Sequence, residues 1–481
     1  MRHVQTPVAV AAAAALVAVA TRLPHVWLDA LWQDEVASAR ILREPTLGGM
    51  LGRVARTEST PPLWYALGWT AHHLGLSIVD VRLLSVAAGG ALAAAVVLIA
   101  RELVSPRYAA LAGGLVAVGA QFVWHGHELR AYELLALLTA LLALALRRTV
   151  RDPRPRSCAT LAAVVAAGLL THYFFAFSLA AAVIWLWLEP EARAARLRVT
   201  VGIAAGGAVA APWFPWFLQQ LHQNRFWWIG SFRARDVVVT PLRLFTPFFQ
   251  HGVAGRVVPY VFLVAAAGGA VLLARRSANG RLVAALAFGP LVLAAAAWAL
   301  GSHTFVVRNL IGIGPFFAVC LAGVAALLPR RIAMTAGLAL AAAAAASFVL
   351  AQSIPAPPYD RLAEALVHEG WDANDPVAVF GNFFDVRAPL EWYLPRQPAL
   401  VVSRADGRAC GTIFVLGGRG LAYRLHGLRD GAKVGPYVVG RLTIRRPIAD
   451  TALRHATLLA DPRDVPACLR VVNRGRDAAI A

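Results

Sequence analysis

The sequence predicts a polytopic α-helical membrane protein of about 11 transmembrane helices, followed by a small C-terminal extracytoplasmic α/β domain. Three observations carry this. Of 481 residues 59% are hydrophobic and 15% charged, against about 25% charged in ordinary soluble domains. Apolar runs near 20 residues, each long enough to cross a bilayer as a helix, recur along the chain. After Pro355-Ala356-Pro357-Pro358 the pattern changes to short mixed segments.

The apolar runs lie near 7–22, 82–100, 108–124, 131–146, 157–171, 173–188, 198–217, 257–274, 282–300, 308–328 and 332–351. Residues 1–22 also carry a signal-peptide pattern, with a basic start and Ala18-Val19-Ala20 at a cleavage-like position. The many spans that follow favour an uncleaved first helix, and either reading leaves Asp34 on the outer face. The alanine-rich runs Ala11–Ala15 and Ala341–Ala346 are flanked by Leu and Val, so they read as membrane helix. Residues 157–188 form one apolar run with basic clusters at both ends. A single helix would be too long and would put those clusters on opposite sides of the membrane. Two helices turning near Thr171-His172-Tyr173 resolve both conflicts.

The net charge is +20, and Lys433 is the sole lysine among 46 basic residues. Arginines collect in the connectors Arg101–Arg107, Arg147–Arg156, Glu189–Arg198, Arg275–Arg281 and Pro329–Arg331. Short basic loops between apolar helices follow the positive-inside rule, so the implied partners are anionic lipids and no nucleic acid. These connectors go to the cytoplasm, the N-terminus with them, and the C-terminus outside. The expected location is the cytoplasmic membrane of a bacterium, the arginine bias pointing to a GC-rich one.

Three larger pieces fall outside: 23–81, 218–256 and the tail 352–481. The transmembrane domain is thus 1–351 and the extracytoplasmic domain 352–481. The tail reads as a helix (Arg361–Glu369), short strands (Val377–Phe380, Ala399–Val402, Thr412–Leu416) and a hairpin (Val434–Ile444). Cys158 and Cys320 fall in spans as small buried residues. Cys410 and Cys468 share the oxidising outer side, where a disulfide between them is an open option. There is no internal repeat.

Polar residues gather at the outer level. Asp34-Glu35 follows the first span, and on a short helix the two point about 100° apart. Pro61-Pro62 bends the chain beside Glu58 and can open a helix. Arg82 begins the second span, placed either to reach headgroups or to meet a phosphate. Between two spans, His125 to Glu133 carries six polar or ionisable side chains in nine residues, a density that marks functional membrane sites. Arg130 and Tyr132 suit a phosphate and a sugar hydroxyl; His125, His127 and Glu128 also offer metal-ligand chemistry. His172 and Tyr173 at one outer turn, and His303 and Arg308 at another, join the same level. Trp227-Trp228 reads as an interfacial aromatic belt.

In this order Trp32-Gln33-Asp34-Glu35, Thr60-Pro61-Pro62-Leu63-Trp64-Tyr65, Val81-Arg82-Leu83-Leu84-Ser85, Glu128-Leu129-Arg130-Ala131-Tyr132, His172-Tyr173 and Arg308-Asn309-Leu310 with Pro315 resemble the GT-C superfamily of membrane glycosyltransferases. The likeness is to its protein O-mannosyltransferase-like branch, which includes the aminoarabinose transferases of lipid A, and it covers about residues 20–330. Many members have His before the Pro-Pro step; here Thr60 stands there. The resemblance implies a polyprenyl-phosphate-linked sugar donor, transfer at the outer face to a glycan, lipid or protein acceptor, Asp34 as catalytic base and, in some relatives, a divalent metal ion, for which Glu58 and His127 are the candidates. It leaves Glu35 a supporting role.

The residues suit that chemistry. A glycosyl phosphate already carries a good leaving group, so one base can suffice, unlike glycoside hydrolysis with its paired carboxylates. The departing phosphate needs cations, and Arg82, Arg130 and Arg308 are placed for it. A lipid or solute transporter is the rival reading, since transporters also bury ionisable groups, but near the membrane midplane. A non-catalytic acceptor-binding scaffold is the third.

Overall fold

The computed structural model describes residues 2–223, 229–246, 252–329, 331–332, 335, 342, 346, 358–372, 375, 377–379, 387–394, 401–405, 408–418, 432–434, 437–449, 457–460 and 471–472. Trp227-Trp228, most of the expected span 332–351, and Cys468 lie outside the described residues. Chain contacts divide the protein into a helical unit, Met1–Leu28 with Ser38–Ile354, and a second unit, Asp29–Ala37 with Pro355–Ala481.

In the helical unit six helices among the described residues are long and apolar enough to cross a membrane: Val8–Leu28, Asp80–Ala100, Arg196–His222, Val253–Arg276, Ala278–Ala299 and Val307–Ala325. The long run near 157–188 folds as two shorter helices, Pro155–Thr171 and Phe175–Leu188, broken at the expected place. Gly168 makes the break compact, because a Cβ there would meet the ring of Phe175. The expected span 108–124 is interrupted at Gly119, giving Pro106–Val118 and Ala120–His125. Helices approach closely where small residues face each other: Gly90 meets Val19, Gly113 meets Ala14 and Val97, and Gly206 meets Val165. With lipid no less apolar than leucine, such dispersion contacts drive association in a membrane. Leu188, Leu197, Val201, Val209 and Val264 are more than half exposed, as lipid-facing positions require. Cys320 is buried in the core as expected, whereas Cys158 is only half-buried, a correction to the expectation for that residue.

The basic connector ends and the polar segment are tied by ion pairs. Arg22, at the end of Arg2–Arg22, is fully buried with Glu133 of helix Tyr132–Arg151, Nη2 to Oε1 3.1 Å. Its remaining N–H groups donate to the carbonyls of Ala18, Val116, Ala117 and Phe122. Such saturation is what lets a buried guanidinium persist. Gly89 and Gly126 leave the room for it, since a Cβ at either would strike the Arg22 side chain.

The second unit is an α/β fold. Its seven strands are β1 (Val377–Val379), β2 (Val401–Ala405), β3 (Arg408–Gly418), β4 (Ala432–Val434), β5 (Tyr437–Ala449), β6 (Thr457–Ala460) and β7 (Val471–Val472), in the order β4-β5-β3-β1-β6-β2-β7. Among the described residues β1 and β3 pair in parallel and the other pairs are antiparallel. The expected helix appears as Tyr359–His368 and the hairpin as β4–β5, with Val434 paired to Tyr437. Cys410 lies on β3. The helix Arg387–Tyr393 and strands β6 and β7 were not expected. The core comprises Leu362, Leu366, Val377, Leu390, Phe414 and Val439, and it includes Ala30 with Trp32 packed against it. The backbone N–H of Leu31 donates to the Tyr393 hydroxyl, 2.7 Å. Residues 29–37, read from the sequence as part of the loop 23–81, thus share a core with the tail.

Candidate functional site

The acid motif starts the helix Gln33–Leu42, with Asp34 and Glu35 in its first turn. Carboxylates there are favoured by the partial positive charge of unpaired backbone N–H groups. Glu35 is buried, and its Oε2 accepts the backbone N–H of Trp32, 3.4 Å. Asp34 is half-buried. The two acids therefore differ as the 100° offset anticipates: one is folded into protein and the other keeps access to solvent.

In the helical unit the segment from His125 to Glu133 forms a buried polar network. Arg130 Nη1 donates to Ser38 Oγ (3.2 Å), Glu58 Oε2 (3.0 Å) and the Tyr65 hydroxyl (3.0 Å). Tyr65 in turn donates to Glu58 Oε2, 2.7 Å, and accepts from Thr60 Oγ1, 3.4 Å. Helix Leu63–His73 starts at the Pro-Pro step and so delivers Tyr65 one turn in. Burial, above all, pushes the Tyr65 hydroxyl well above its usual range, with Arg130 opposing and Glu58 adding to the rise. It is a hydrogen-bond donor at every working pH.

Tyr132 sits where the network turns. The guanidinium carbons of Arg130 and Arg308 lie 6.0 and 5.7 Å from its ring centroid. His125 and His172 lie 4.7 and 5.7 Å from the same ring, centroid to centroid. His125 Nδ1 contacts Glu128 Oε2, 2.6 Å. Burial alone would raise the Glu128 carboxyl, but His125, His127 and Arg308 together hold it below the usual range. The Glu128 carboxylate is thus favoured in its charged form.

His172 is pushed down to about 3, first by burial and then by Arg130 and Arg308. In an unfolded chain it titrates near 6.5. Between these values the unfolded chain binds a proton that the folded one refuses, so this group's contribution is complete above pH ~6.5 and is lost as pH falls toward 3. Replacing His172→Gln should flatten the loss of Tm between pH 7 and 4 in purified protein. An unchanged slope would show that His172 accepts a proton in the folded state.

The other sequence candidates fall to either side. Arg82 is buried, 1% exposed, and donates to the carbonyl of Val26, 2.8 Å. It does not snorkel to a surface. His127 is buried, its Nδ1 2.8 Å or less from a backbone carbonyl (Val123, 2.7 Å), and its ring stacks on His25 with centroids 4.8 Å apart. Glu58 and His127 are therefore engaged separately, and the imidazole near His127 is that of His25. Tyr173 turns to Gln220 (2.5 Å) and Trp213 (3.1 Å), a set apart from the Tyr132 cluster. His303 Nδ1 meets the Ile229 carbonyl, 2.8 Å. Ser38 joins the network without having been singled out, and Tyr65 and His125, which lie in the motifs noted, had been given no binding role of their own. Their polarity beside buried charge was the available signal, and side chains of one hydroxyl or imidazole carry no pattern of their own in sequence.

Residues 59–218 match the family model described as dolichyl-phosphate-mannose-protein mannosyltransferase. The structure is similar to that of ArnT from Cupriavidus metallidurans in the apo state, with a TM-score of 0.55 and 15% identity over 90% of this chain and 97% of that one. ArnT from Cupriavidus metallidurans bound to undecaprenyl phosphate gives 0.53 and 13% over 96% and 98%. The archaeal oligosaccharyltransferase AglB from Archaeoglobus fulgidus, in complex with an inhibitory peptide and a dolichol-phosphate, gives 0.47 and 14% over 82% and 64%. No curated protein matches the chain by sequence. The ArnT likeness spans nearly the whole of both chains, and it shows that this polytopic membrane protein has the GT-C fold.

Proposed function

From the GT-C fold as premise, we propose that the protein is a glycosyltransferase that moves a sugar from a polyprenyl-phosphate donor to an acceptor hydroxyl. The observation that carries the reading is the pair of guanidinium groups, buried Arg130 and half-buried Arg308, on one buried ring, Tyr132. Two cations held on one ring suit the charge that develops on a departing phosphate. That ArnT has been seen with undecaprenyl phosphate supports the same donor class.

The reaction is an inverting single displacement at the outer membrane face. Asp34 takes the proton of the acceptor hydroxyl as its oxygen attacks the anomeric carbon. The bond from that carbon to the phosphate oxygen breaks, and the electron pair leaves with the lipid phosphate, met by Arg130 and Arg308. Glu58 and Tyr65 orient Arg130; neutral His172 and Tyr132 fix the floor beneath it. Arg82, buried and bound through Nη1 to the Val26 carbonyl, is the third cation of this proposal. The hydrophobic helices hold the polyprenyl tail, and the acceptor is a glycan, lipid or protein.

Some members of the resembled superfamily use a divalent ion. Glu58 fits this poorly, its Oε2 being occupied by Arg130 and Tyr65. His25 and His127 fit better, since their ring nitrogens come within 4.8 Å of one another and neutral imidazoles bind zinc-like ions. An ion held there would supply Lewis-acid positive charge.

The test is direct. Purified protein in lipid nanodiscs, given a synthetic polyprenyl-phosphate sugar and an acceptor, should yield glycosylated product of inverted anomeric configuration and free polyprenyl phosphate. Solute flux in liposomes without sugar transfer would instead favour the transporter.

A further inference from the structure

Helix Tyr132–Arg151 carries the Arg130 site at one end and a second constellation at the other, about 22 Å away by helical rise. There a cavity of about 150 Å³ is lined by Arg147, Arg151, Trp185, Glu189, Glu191 and Asn279, among others. Arg147 is 5% exposed and pairs through Nη2 with Glu102. Its Nε and Nη1, and the indole Nε1 of Trp185, are buried without an acceptor among the described residues. Three donors without acceptors in one wall are costly.

The carboxylates near by are already committed. Glu189 is gripped by Arg281 through two bonds, 2.6 and 2.8 Å, and Glu191 by the same guanidinium at 3.1 Å. That grip, before any other effect, holds the Glu189 carboxyl low. Glu102 takes Arg147, Arg151 (3.0 Å) and Asn279 (2.9 Å). The four connectors Arg101–Arg107, Arg147–Arg156, Glu189–Arg198 and Arg275–Arg281 hold thirteen arginines against four acids.

We propose that this cavity binds a phosphate-type oxyanion, distinct from the donor phosphate of the Arg130 site. The anion accepts from Arg147 and Trp185, and Arg151 closes the charge from the rim. Both a membrane phospholipid headgroup and soluble phosphate present that chemistry.

Full-length protein is placed in phosphatidylcholine nanodiscs and titrated with inorganic phosphate against chloride at equal ionic strength. A parallel set contains phosphatidylglycerol. A rise in Tm with phosphate assigns a soluble ligand; a rise only with phosphatidylglycerol, with retained lipid adducts in native mass spectrometry, assigns a headgroup. Arg147→Gln should weaken either response about tenfold or more, the scale of a lost charged hydrogen bond, and Trp185→Phe should weaken it less. Should Arg147→Gln fail to fold, Trp185→Phe and Arg151→Gln carry the test. No response of the wild type to either probe, or wild-type responses in the variants, overturns the proposal.

Discussion

Asp34→Asn is expected to reduce sugar transfer by about 10²- to 10⁴-fold, the range assigned to a lost general base, with Tm and donor binding close to wild type. The amide has the shape of the carboxylate but cannot take a proton. Asp34 is half-buried in the first turn of its helix, where the helix-end charge effect alone is worth about 0.3–1 kcal/mol. Glu35→Gln serves as the contrast. That side chain is buried and meets the backbone of Trp32, so its replacement should lower Tm before it lowers turnover. Single-turnover transfer and donor affinity, measured side by side for both variants, separate the roles. Full turnover in Asp34→Asn would remove Asp34 from the chemistry.

Arg130→Gln is expected to cost both stability and donor affinity. One Nη1 group serves Ser38, Glu58 and Tyr65, and its removal strands the Glu58 carboxylate, 6% exposed. Breaking a buried pair from one side costs about 3–5 kcal/mol. The structural part can be subtracted: combining Arg130→Gln with Glu58→Gln removes the stranded charge and should recover most of the Tm. If Arg130 also holds the donor phosphate, donor binding stays weak in that double variant. Recovery of donor binding together with Tm would reduce Arg130 to a structural residue.

The helical fold was legible because bilayer crossing leaves a strong mark, a long apolar run with basic ends. The break at His172 followed from length and charge alone. The tail was harder. Its hairpin β4–β5 could be found from local pattern, but β6 enters between β1 and β2, and a pairing of strands so far apart has no local trace. The site was half legible: Arg130, Tyr132, His172 and Arg308 stood out as ionisable groups in apolar surroundings and do converge. Tyr173 carried the same signal and turns to Gln220 and Trp213, because residue type does not specify which neighbour a side chain meets. The buried pair Arg22–Glu133 was missed for a related reason. Its arginine sits at a span end, where sequence offers a headgroup as the default partner.

The packing of Ala30 and Trp32 into the core of the second unit bears on the order in which the protein is made. The acid-bearing segment leaves the ribosome among the first residues, yet Tyr359, Leu390 and Tyr393, which seat it, are translated more than three hundred residues later. Throughout membrane insertion that segment has no core to join. The nascent chain can thread its helices while its proposed base is still unanchored, and the seat closes only on completion of the tail.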